Sequence, residues 1–164
     1  MRTFTKKYLG GNAINEDSYR IDIIVLEKYQ SFSTELLRLA LLGIAGYGFL
    51  VSNVALKVKD GGMHLFTDGF LGPVFLVLGA LAFAISALSA LAHRYYSSDC
   101  LTHFVRLLRL KESENDLLES IDSEEASLDK DLNRCKRYLI MSCLALVVGA
   151  FSVAVSFTVV LINS

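Results

Sequence analysis

The stretch GFLGPVFLVLGALAFAISALSALAHRYYSSDCLTHFVRLLRLK, Gly69 to Lys111, decides the fold. Its first part, Gly69 to Ala92, carries no Asp, Glu, Lys or Arg. It is long enough to cross the hydrocarbon core, which takes about 20 mostly apolar residues in a helix. Its second part, from His93, is polar and amphipathic. No Gly or Pro interrupts Ala80 to Lys111, so the pattern predicts one long helix, half in lipid and half in water. Pro73, the only proline, falls in the first turn of the span, where a missing N–H costs little.

Working outward, two further stretches lack charged side chains: Leu39 to Leu56 and Tyr138 to Ser164. The chain of 164 residues is 53% hydrophobic with a mean hydropathy of +0.46. Average soluble domains reach roughly 45–50% apolar residues even counting glycine. The polar remainder is too small to wrap three such helices as a soluble core. The expected fold is therefore an all-α membrane protein with three transmembrane helices. Lys and Arg set the orientation. Arg2, Lys6, Lys7, Arg20, Lys28 and Arg38 precede the first span, and only Lys57 and Lys59 lie between the first and second. Arg94, Arg106, Arg109, Lys111, Lys130, Arg134, Lys136 and Arg137 lie between the second and third. The N-terminus is thus expected in the cytoplasm and the C-terminus outside. MRTFTKKYLGGNAINEDSYR has no apolar core of the kind a cleaved signal peptide needs. Cys100 and Cys135 fall in the reducing compartment, where structural disulfides are not expected.

Four regions follow. Residues 1–35 form a cytoplasmic arm and an amphipathic helix, with Ile21, Ile24, Val25, Tyr29 and Phe32 at helical spacing. That apolar face either packs on the cytoplasmic helices or lies in the membrane interface, and the run IDIIVL also reads as a strand. Residues 36–92 hold the first two spans, joined by a short outer loop with the turn signal Gly61–Gly62. Residues 93–137 form a cytoplasmic antiparallel helical hairpin, a stalk with its tip around Ser120 to Ser123, where Asp122 and Glu125 resemble a capping box. Its apolar seam is expected to be Leu101, Phe104 and Leu108 against Leu128, Leu132, Cys135 and Leu139. Residues 138–164 are the third span.

Each span carries a stripe of small or polar residues at spacings of three and four. The first has Gly43, Gly46, Leu50 and Asn53; the second Gly79, Ala82, Ser86, Ser89 and His93; the third Ser142, Ala145, Gly149, Ser152 and Ser156. Such stripes let helices approach closely in lipid, or they line a pore. Asn53, Ser86, Ser89, Ser142, Ser152 and Ser156 are the pore-lining candidates. Three spans cannot enclose a channel, so a pore requires several copies. The basic residues Arg106, Arg109, Lys111, Arg134, Lys136 and Arg137 either follow from topology and anionic lipid, or they pair with the acidic tip of a neighbour or bind phosphate.

Enzyme chemistry has little support. No phosphate-cradling glycine loop, nucleophile elbow or CxxC pair occurs, and no charged residue lies inside a span. Asp99 and His103, four apart with Cys100 beside them, make a weak metal set, since a site needs three or four ligands. No catalytic residue, metal or cofactor is expected.

SALSALAHRYYSSDCLTHFVRLLRL, with the basic helix, first span and short outer loop before it, resembles the bacterial SLATT domain family over about Tyr19 to Lys111. The third span and its acidic hairpin depart from the simplest two-span members. The resemblance implies a membrane effector of antiphage defence in the bacterial inner membrane, such as the channel component of a Hailong-type system. It implies a homo-oligomeric pore, with a tetramer as the first guess, gated by a nucleotide or short DNA oligomer made by a partner nucleotidyltransferase. The stalk's basic residues would be its phosphate contacts. The alternative is a membrane-anchored interaction or assembly protein whose coiled stalk docks a soluble partner.

Overall fold

A computed structural model describes residues 16–52, 71–112 and 118–163. These form three helices: α1, Glu16–Leu50; α2, Leu71–Glu112; and α3, Leu118–Asn163. All three are long and apolar enough to cross a membrane. The run IDIIVL is helical, so its strand reading fails. Its hydrophobic residues recur at three and four as well as at two, and the long helix on either side of it decides. α2 has no break between lipid-type and water-type sequence. The expected hairpin tip at Ser120 to Ser123 is corrected, because those residues lie within α3. The sequence is ambiguous there: Asp116 and Glu119 have the same cap spacing as Asp122 and Glu125.

The chain divides into two compact units. The apolar unit takes Ser33–Leu91 and the chain from Tyr138 onward. In it α2 and α3 run antiparallel. Ser86 Oγ donates to the Ser142 carbonyl at 2.8 Å, and Ser142 Oγ donates back to the Ser86 carbonyl at 3.0 Å. Ser156 Oγ donates to the Gly72 carbonyl at 2.8 Å. Between these two contacts, a Cβ on Gly79 would lie 3.3 Å from the Gly149 carbonyl oxygen. The facing positions Gly72, Gly79 and Ser86 are seven residues apart, as are Ser156, Gly149 and Ser142. A seven-residue repeat keeps one face toward the partner helix, and small residues there allow hydroxyls to reach the opposite backbone.

Phe83 ties this unit together. Its ring lies where a Cβ on Gly43 of α1 would approach to 2.6 Å, and a Cβ on Gly149 of α3 to 3.0 Å. Gly46 and Gly48 differ: among the described residues, nothing lies within 4 Å of a Cβ built on either. Large apolar residues such as Leu42, Phe49, Leu88, Val147 and Phe151 are exposed, as expected of side chains that meet lipid.

The polar unit takes the chain up to Phe32 together with Ala92–Arg137. Here α1 meets α2 through Gln30, whose Nε2 donates to Ser97 Oγ at 3.3 Å. Ile21, Ile24, Val25, Tyr29 and Phe32 are all exposed. The face expected either to pack on neighbouring helices or to sit in a membrane interface is therefore uncovered by the described residues.

The Gly43 and Gly46 environments give a direct comparison. Gly43→Val should destabilise the detergent-solubilised protein by about 1–3 kcal/mol, the usual cost of overpacking. Gly46→Val should cost the single chain clearly less, since no described residue lies within 4 Å of its Cβ. Thermal unfolding of the two variants side by side measures this, and equal losses would refute the packing around Phe83.

Candidate functional site

The polar unit is held by a seam that departs from the expected one. Leu132 is exposed, and the buried positions on α3 are Glu124, Asp131 and Cys135. On α2 they are His93, Ser97, Cys100, Leu107 and Leu108. Cys135 and Leu108 keep their expected inward places and Leu128 is half-buried, but Asp131 stands inward where Leu132 was expected, so that two carboxylates, Glu124 and Asp131, take inward positions. The cause lies opposite them on α2. His103 is nearly enclosed, with 12% of its side chain exposed, and a buried imidazole requires polar partners.

Three carboxylates surround that ring. Glu124 Oε2 lies 2.7 Å from Nδ1. A carboxylate accepts, so Nδ1 carries the hydrogen and donates it. The other oxygen of Glu124 is held by Arg106 at 2.6 Å. On the far side of the ring, Nε2 faces Asp131 Oδ2 at 3.7 Å and Asp99 Oδ2 at 3.9 Å. The remaining oxygen of Asp131, Oδ1, accepts from Arg134 at 3.1 Å. Thr102 Oγ1 donates its one hydrogen to the Asp99 carbonyl at 2.6 Å and lies 3.4 Å from Asp99 Oδ1. Arg134 also sits over the Tyr96 ring, 5.2 Å from its centroid.

A second buried pair lies on the same two helices. Cys100 Sγ and Cys135 Sγ are 3.8 Å apart, both as free thiols. Cys135 also approaches the His93 carbonyl at 3.9 Å. The Nδ1 atom of His93 is buried without a hydrogen-bond partner among the described residues.

The residues singled out from sequence separate into groups. Ser86, Ser142 and Ser156 are buried with their hydroxyls on backbone carbonyls inside one chain. Ser89 and Ser152 are buried too. Asn53 lies outside the described residues, as do the side chains of Arg109 and Lys111. Arg106 and Arg134 are ion-paired within the unit, whereas Lys136 and Arg137 are exposed. Asp99 and His103 do come together, joined by Asp131 and Glu124, which the sequence did not single out. The available signal was the spacing of seven between Glu124 and Asp131, which places both on one helical face.

Comparison with protein-family models, with curated proteins and with solved structures finds no match to this chain.

The cysteine pair tests the register of α2 against α3. Mild oxidation of the solubilised protein should join Cys100 to Cys135 within one chain, lowering titratable thiols from three to one. Cys135→Ser should abolish the effect. Oxidation that yields only cross-linked dimers would contradict the register.

Proposed function

We propose that the protein is a homo-oligomeric membrane pore that acts as an effector of bacterial antiphage defence, opening or closing in response to a nucleotide signal. The reading rests on the SLATT-like sequence pattern and on one structural observation, the open side of α1 at Gly46. The small-residue faces of α2 and α3 are occupied by each other, whereas no described residue lies within 4 Å of a Cβ built on Gly46. Small residues left uncovered on a span suit close contact with another helix. A second copy would supply that helix, and the pore wall would then fall to α1 and its neighbours, including Asn53. In this reading the polar unit faces the bacterial cytoplasm and the spans lie in the inner membrane. Lys136 and Arg137, exposed on α3, are the cations best placed to receive phosphate, together with Arg109 and Lys111.

One observation favours a second reading. Arg106 and Arg134 already have carboxylate partners, and the buried serines serve packing. A membrane-anchored protein whose polar helices dock a soluble partner needs neither a pore nor a phosphate site.

Planar-bilayer recording of the purified protein separates the two. The pore reading expects discrete conductance that disappears in Gly46→Leu along with the oligomer. It expects Lys136→Glu combined with Arg137→Glu to retain conductance and to lose at least tenfold in nucleotide sensitivity. Intact oligomers that conduct under no ligand condition would sink it.

A further inference from the structure

We propose that Asp99, His103 and Asp131 form a binding site for a divalent first-row transition metal ion, with Glu124 as the residue that orients the histidine. The proposal does not rest on the pore reading. It begins with a convergence of acceptors. Glu124 holds the hydrogen on Nδ1, so the Nε2 lone pair points away from it, toward Asp99 Oδ2 and Asp131 Oδ2. One ligand atom from each of Asp99, His103 and Asp131 can be chosen so that all lie within 4.8 Å of one another. Three acceptors that face each other without a donor repel, unless a cation lies among them.

A proton on Nε2 does not resolve the arrangement well. Its nearest acceptors stand at 3.7 and 3.9 Å, past the range of about 2.7–3.2 Å for an N–H···O bond. A metal ion spans that gap. With bonds of about 2.0–2.2 Å to imidazole nitrogen and carboxylate oxygen, tetrahedral ligands stand roughly 3.4 Å apart. The two distances from Nε2 need only a few tenths of an ångström of contraction, and the two aspartates, within 4.8 Å of each other, close the third side by side-chain rotation. Arg134 occupies the outer oxygen of Asp131, which leaves its inner oxygen turned toward Nε2, and Asp99 Oδ2 faces the same nitrogen. Ligating histidines characteristically donate their other ring N–H to a carboxylate, and Glu124, anchored by Arg106, supplies that acceptor. One imidazole and two carboxylates suit Zn2+ and its first-row neighbours better than a soft ion. Three protein ligands leave a coordination position for water or an exogenous donor. Because Asp99 and His103 lie on α2 and Asp131 on α3, a bound ion would clamp one helix to the other.

The test uses the full chain in detergent, stripped with chelator and carrying no histidine tag. Zn2+ titrated by calorimetry should bind at about one ion per chain and raise the unfolding temperature, since a ligand of the folded state stabilises it. Asp131→Asn and His103→Asn should lose the binding. Asp99→Asn, at a partly exposed position that leaves the buried contacts in place, should weaken it at least tenfold, and Glu124→Gln should weaken it roughly 10–100-fold. Asp129→Asn, on the exposed side of α3, should bind as the parent does. Far-UV circular dichroism checks that each variant is folded; if the buried changes unfold it, Asp99→Asn against Asp129→Asn decides. Co2+ provides a ligand-specific signature, with visible bands from nitrogen and oxygen ligation. A strong sulfur-to-cobalt charge-transfer band would place the ion at Cys100 and Cys135 and overturn the assignment. So would the absence of stoichiometric binding, or binding unchanged in Asp99→Asn.

Discussion

The apolar unit depends on how closely two glycines allow three helices to approach one aromatic ring. Phe83 is held between Gly43 of α1 and Gly149 of α3, with no room for a methyl group at Gly43 and little at Gly149. In lipid the hydrophobic effect does not drive helices together, because acyl chains are as apolar as leucine. Shape and hydrogen bonding must do it. The ring supplies shape, and the reciprocal serine contacts between α2 and α3 supply the hydrogen bonds. Both need small residues at the point of contact, which is why Gly and Ser, rather than Leu and Val, mark the inner faces of these helices.

The polar unit solves the opposite problem. Its helices pass through water-compatible sequence, yet the seam is not built from leucine alone. Burying His103, Glu124 and Asp131 carries a desolvation cost that each must offset with partners. Arg106 and Arg134 reach in from the margin to neutralise Glu124 and Asp131. The arrangement gives the pairing of α2 and α3 a specificity that interchangeable leucines do not provide, since a shifted helix would leave a carboxylate buried without its arginine.

The span lengths, the unbroken α2 and the small-residue faces were legible in the sequence because each follows from a local rule of composition or period. Gly79, Ser86, Ser142 and Gly149 could be placed on their helix faces from spacing alone. What spacing left open was whether those faces meet each other, another copy or water, because that is a property of two helices at once. The seam of the polar unit differs from its hydrophobic pattern at one position for a related reason. The repeat through Leu128, Leu132 and Cys135 looks like a core by hydrophobicity, but Asp131 takes the inward place of Leu132 and meets His103. Only the pairing of the two helices shows that a histidine on one makes an aspartate the better inward residue on the other. The cap at the start of α3 was ambiguous for want of a unique Asp-to-Glu spacing.

The ladder of Gly72, Gly79 and Ser86 against Ser156, Gly149 and Ser142 has a mechanical consequence. Small residues recur at intervals of seven, while Phe83, inward between Gly79 and Ser86, is seated against Gly149. A slide of one or two residues would carry that ring off its glycine and break the serine bonds. Axial travel between these two helices is therefore quantised rather than continuous. Forces applied along their axes are carried as those on a toothed rack, held rigidly until the load is large enough to skip a full set of contacts.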